Sequence, residues 1–153
     1  MSSTLQPIKK NLSEDTQILS STSKKTLLRE KFETLAARVE YDFNVSVEFV
    51  HGDNSFWIPT PPEEVEECGH TGIIDIGDDQ DDFEKLISLV HEIGHVIFND
   101  RSKLQKHRRI LIFEESLAWY LGYDYALAVG IEIDLKEYAE RVEKAIKLYK
   151  ELK

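Results

Sequence analysis

The chain holds one cysteine, Cys68, among 153 residues, so no intrachain disulfide can form. Proline (4) and glycine (7) are sparse, which argues against a fibrous or broadly disordered chain. No apolar run approaches the length of a membrane span, and the opening Met1-Ser2-Ser3-Thr4-Leu5 lacks the apolar core of a secretion signal. Excess positive charge is also missing. The formal net charge is −10, which argues against a general phosphate-backbone binder. One local basic stretch, Arg101, Lys103, Lys106, Arg108 and Arg109, reads as a solvated connector. The expectation is a cytoplasmic protein with no direct nucleic-acid or membrane partner, acting as a monomer.

At this length one domain is expected, and 41% apolar residues suffice for one core. Residues 1–22 are rich in Ser, Thr, Lys and Gln and read as a flexible N-terminal arm. Residues 23–153 read as the folded domain. Leu28, Phe32, Leu35 and Val39 recur at helical spacing, predicting a helix over about 23–42. Val45 to Val50 alternates like a strand with one buried face. Residues 51–70 read as a loop, with a short strand at 56–58. A strand follows over Thr71–Ile76. The run Asp78-Asp79-Gln80-Asp81-Asp82 suits the N-terminus of a helix, and it lacks the glycine and terminal glutamate of a calcium loop. Three helices are then predicted: about 82–99, about 108–129 (apolar almost all round, hence central and buried) and one from Asp134, where Glu137 completes a capping box. Tyr138, Val142, Ala145 and Tyr149 form the buried stripe of the last helix. The fold class is α+β, with a small antiparallel sheet.

The residues with the clearest chemistry are His91-Glu92-Ile93-Gly94-His95. Histidines four apart on a helix leave one face a turn apart, so two imidazoles can meet one zinc ion. Glu92 cannot easily share their coordination position, but it can take a proton from an attacking water and pass it to a leaving amine. With five histidines and eighteen glutamates in the chain, about 0.02 such matches arise by chance. Chance is therefore a poor account of it, the more so on a helix directly after a strand.

A catalytic zinc site needs a third protein ligand and an open fourth position. The position six residues after His95 is Arg101, which cannot serve. His107, Cys68, Glu114 and Glu115 remain. Cys68 lies in Glu67-Cys68-Gly69-His70, which does not reproduce the cysteine motif of deformylases. Glu114 and Glu115 sit on an apolar helix, where a carboxylate is costly unless paired or metal-bound.

Leu89-Val90-His91-Glu92-Ile93-Gly94-His95-Val96 resembles the active-site helix of the ImmA/IrrE group of compact gluzincins, and Glu115-Ser116-Leu117-Ala118 resembles that group's Glu-x-x-Ala segment. The resemblance covers about residues 71–126. It implies a minimal zincin-like fold, a zinc-dependent peptidase with a glutamate as third ligand, and an origin among bacteria, phages or mobile elements. It also implies a protein or peptide substrate, since several such proteins act on transcriptional repressors. One position departs from the group: the residue after the alanine, often polar there, is Trp119, whose indole can only donate a hydrogen bond.

Helical geometry separates the two glutamates. At about 100° per residue, Ala118, Gly122 and Ala126 lie about −60°, −20° and +20° from Glu115. Small residues let two helices approach, so Glu115 lies in the stripe suited to face His91 and His95. Glu114 shares its side with Leu117, Leu121 and Tyr125. Tyr123 and His107, two turns either side of Glu115, are the candidates for stabilising a developing oxyanion. In zincins the strand before the metal helix edges the cleft, so Thr71–Ile76 is expected either to accept an extended peptide by strand addition or to be an interior strand. The reading is a metallopeptidase with His91, His95 and Glu115 on zinc and Glu92 as general base. The alternative is a zinc-stabilised binding module that sequesters a partner without cutting it.

Overall fold

A computed structural model describes residues 12–98 and 108–151 of the protein, with side chains described over 21–98 and 111–151. The first helix, α1, spans Leu12–Phe43 and runs straight through the boundary expected at residue 22. No glycine or proline lies between Leu12 and Thr22, and a polar composition alone does not oppose helix formation. Packing begins later. Residues 21–27 are exposed, whereas Phe32, Leu35 and Val39 are buried. Deleting residues 1–20 is therefore expected to shift the melting temperature by no more than about 2–4 °C, the equivalent of ~1 kcal/mol. A larger drop in a thermal melt would show that this segment contributes to the core.

Asn44, with a left-handed φ of 53°, ends α1 and turns the chain into β1 (Ser46–Val50). Then come β2 (Phe56–Pro59), a 3-10 turn at Pro62–Glu64, α2 (Val65–Cys68) and β3 (Gly72–Gly77). The sheet order is β1-β3-β2. β1 runs parallel to β3, with Val47 beside Ile74, and β2 runs antiparallel, with Trp57 beside Ile74. The sheet is thus mixed, where the sequence predicted an antiparallel one. The cause lies in the start of β3. The Thr71 N–H donates to the Asn44 carbonyl at 2.7 Å, and its hydroxyl donates to the Phe43 carbonyl at 2.8 Å. These bonds seat the start of β3 beside the start of β1, so the two strands must run the same way. β3 is consequently the central strand, not the cleft edge, and β2 holds the outer position. Ile74 and Ile76 are fully buried on the sheet's inner face, where β3 packs against α3.

The acidic run leads into α3 (Asp82–Phe98). Asp81 Oδ1 accepts the Glu84 N–H at 2.8 Å as an N-cap. Asp78 accepts the Gly52 N–H at 3.2 Å, and Asp82 pairs with Arg29 at 3.3 Å. After the connector come α4 (Arg108–Ala128) and α5 (Leu135–Glu151). Gly130, at a φ of 85°, closes α4. The Ile131 N–H returns to the Ala126 carbonyl at 2.8 Å and the Gly130 N–H to the Leu127 carbonyl at 3.0 Å, the paired bonds of a Schellman turn. Asp134 Oδ1 accepts the Glu137 N–H at 2.8 Å and starts α5.

α4 differs from the all-round burial its composition predicted. Phe113 and Tyr120 are 65% and 66% exposed. Among its described residues the buried ones are Ala118, Trp119, Gly122 and Ala126, a face turned to α3. There the backbones nearly touch. A Cβ built at Gly94 would stand 1.8 Å from the Ala118 carbonyl oxygen, and one at Gly122 would stand 1.8 Å from that of Val90. Glycine is thus required at both positions by the closeness of the helices.

Candidate metal centre

The close approach of α3 and α4 brings three side chains together. His91 and His95, one turn apart on α3, point their Nε2 atoms to within 3.1 Å of each other. From α4, Glu115 Oε2 lies 3.1 Å from His91 Nε2 and Oε1 lies 3.5 Å from His95 Nε2. One ligand-type atom from each residue falls within 4.8 Å of the other two. The side chains are only 12–14% exposed. Burial alone would raise the Glu115 carboxyl, but the polar contact and charge of the His91 and His95 imidazoles outweigh it and hold the group at about 2. Glu115 is therefore an anion across the neutral range, as a ligand must be.

These residues fit a zinc ion. Four ligands set tetrahedrally at 2.0–2.2 Å from one ion lie roughly 3.3 Å apart, close to the three separations here. Two histidines and a glutamate form a catalytic donor set. Glu115 Oε2 is buried without a hydrogen-bond partner, although it faces the His91 Nε2 atom. Acceptor atoms converging without a proton correctly placed between them are what a cation resolves.

Glu92 is 6% exposed. Burial pushes its carboxyl up, as does the neighbouring Glu115. The charges of His91 and His95 and a hydrogen bond from the Trp57 backbone N–H pull the other way without reversing the shift. With His91, Glu92 lines a cavity of about 430 Å³, shared with Asp53, Ser88, Trp119 and Tyr149. The general-base candidate thus lines open space together with His91, one of the three ligand candidates.

Trp119, the departure noted in the sequence, lies flat on His91, with ring centroids 4.0 Å apart and planes 25° apart. His91 Nδ1 and Trp119 Nε1 are both buried without a partner. A metal-bound histidine usually donates its second ring N–H to a carboxylate or carbonyl. Here the flat face of an indole orients the imidazole instead.

The remaining candidates fall elsewhere. Cys68 is exposed on α2 and absent from the cluster, as is Glu114. Tyr123 does not line the cavity. Its ring lies 4.6 Å from that of Tyr138, against the core. The eight residues separating it from Glu115 carry it about 12 Å along the helix, which the shared face had concealed. His107 and the basic residues up to Lys106 lie outside the described residues. One cavity residue was not singled out for chemistry: Tyr149. Its helical spacing placed it in the buried stripe of α5, and no local signal separates a packing tyrosine from one turned to a site. Burial, with the charges of Glu115 and Glu92 beside it, pushes its phenol pKa upward.

Comparison of the chain with protein-family models, with curated proteins and with solved structures found no match.

Proposed function

We propose that the protein is a zinc-dependent peptidase of the compact gluzincin kind, similar to the ImmA/IrrE group, acting on a protein or peptide substrate. The observation that carries this reading is Glu92: a buried carboxyl with raised proton affinity that lines one cavity with His91, a member of the His₂Glu cluster. A site that only stabilised the fold would be closed by a fourth protein ligand. Among the described residues no fourth ligand-type group joins the three.

His91, His95 and Glu115 would hold the ion. Bound there, zinc supplies Lewis acidity, lowering the pKa of water towards ~7 and polarising a carbonyl. Glu92 takes the proton of the attacking water and delivers it to the leaving amine, so one group serves as base and then acid. Burial suits it to both steps, because a carboxyl with raised proton affinity keeps the proton long enough to hand it on. Trp119 holds the His91 ring, and the hydrogen bond from the Trp57 N–H orients the Glu92 carboxylate.

Zinc retention during dialysis tests the ligand set. The wild-type protein is expected to keep about one ion per chain, and Glu115→Ala to bind at least ~100-fold more weakly, more than an outer-shell change costs. Glu114→Ala is expected to behave like the wild type. Loss of zinc from Glu114→Ala with retention by Glu115→Ala would overturn the assignment.

A further inference from the structure

We propose that the cavity beside Glu92 continues into a second groove between α3 and α5, and that this groove receives a large apolar side chain of the peptide substrate, on a residue flanking the bond that is cut. The inference deepens the peptidase reading and rests on it. The second groove encloses about 440 Å³. Asp53, Ser88, Trp119, Ala145 and Leu148 line both it and the cavity of His91 and Glu92, so the two spaces adjoin. Ile87 lines the second groove. It stands four residues before His91 on α3, about 6 Å along the axis. An extended chain advances about 3.3–3.6 Å per residue. A substrate with its reacting carbonyl beside His91 and Glu92 therefore has a neighbouring side chain within reach of this turn.

The lining selects for an apolar group. Ile87, Trp119, Ala145 and Leu148 supply carbon surface from three helices. Trp119 is fixed by its stacking on His91. Ala145 is small and part-buried, and Leu148 is 59% exposed. A lone exposed leucine is ordinary, but this one borders both spaces, where a substrate side chain would cover it. Charge in the groove is already answered. Arg141 pairs with Glu84 at 2.7 Å, and Lys144 shares the lining with Asp53 and Asp79. Neither sign dominates, so the apolar surface sets the preference.

The test uses the full-length, zinc-loaded chain and a synthetic peptide library, with cut sites read by mass spectrometry. At one position flanking the cut, Leu, Met and Phe are expected to exceed Ala by at least ~10-fold in kcat/KM, the usual worth of methylenes in an apolar pocket. Ala145→Phe fills the groove, and Leu148→Lys charges its wall at an exposed position. Each is expected to reduce that preference by about 10-fold, with zinc content unchanged. Binding without turnover gives a second readout. A labelled copy of the best-cut peptide, titrated against Glu92→Gln, is expected to bind about 10-fold more tightly than its alanine-substituted form. Cleavage with no apolar preference beside the cut overturns the proposal, as does the wild-type preference kept in Leu148→Lys and in a folded Ala145→Phe. A wild-type chain that cuts no more than Glu92→Gln overturns the peptidase reading and the proposal with it, a result distinguishable from either.

Discussion

Glu92→Gln is expected to lower peptide hydrolysis by about 10²–10⁴-fold, the usual worth of a general acid–base group, and to leave zinc content unchanged. The amide keeps the carboxyl's shape but cannot accept the proton. Stability should move the other way. Burial raises the folded-state pKa of Glu92 above its ordinary value of 4.5. Such a group stabilises the fold below its unfolded pKa, and that contribution is lost as pH rises through the folded pKa. At pH 7 a neutral glutamine escapes that loss, so the metal-free variant should melt at or above the wild-type temperature. Zinc content, turnover of a casein-type substrate and a melt at pH 7 check the three parts. Loss of zinc from the variant would make Glu92 a ligand and remove its role as base. Full activity would leave the cavity without a base.

The largest effect on stability is expected from Gly94→Ala. The added carbon would sit 1.8 Å from the Ala118 carbonyl oxygen, on backbone that cannot swing aside. α3 and α4 would have to part by roughly an ångström, which costs about 3 kcal/mol, the upper part of the usual range for overpacking. At this chain length that lowers the melting temperature by about 10 °C. Zinc affinity should fall with it, since Glu115 and the two histidines sit on the separating helices. Ser116→Ala, at an exposed position on α4, should change stability by under about 0.5 kcal/mol. A Gly94→Ala protein as stable as the wild type would mean that the helices are not held at this spacing.

The parts of the site carried by helices were legible because helical periodicity is local. The spacing of His91 and His95 sets their common face, and the small residues at 118, 122 and 126 mark the face of α4 on which Glu115 comes close to both. Strand direction was not legible. It depends on where Thr71 meets Phe43 and Asn44, residues more than twenty-five positions away. The short edge strand expected at 56–58 is present as Phe56–Pro59, although it sits in a proline-rich loop. α4 misled by composition, because an apolar surface records what could be buried and not how many neighbours arrive to bury it. Tyr123 misled because a shared helical face hides distance along the axis, and Tyr149, which lines the cavity with His91 and Glu92, because its place depends on how α5 packs, which its own helix does not encode.

The outer edge of the sheet has an asymmetric hydrogen-bonding capacity. The Thr60 N–H bonds to the Thr71 carbonyl at 2.9 Å, and antiparallel pairing alternates, so Trp57 and Pro59 turn their backbone groups away from β3. Proline has no N–H to offer, and that of Trp57 is directed at Glu92. The edge is therefore rich in acceptors and almost empty of donors. A neighbouring sheet seeking to join it could complete only half a ladder, which guards against edge-to-edge association. A single polypeptide lying there would have to compete with Glu92 for the one remaining donor. Taking it would strip the carboxylate of a bond that favours its charged form and raise its proton affinity further. Occupancy of that edge would thus act on Glu92 through a single backbone N–H.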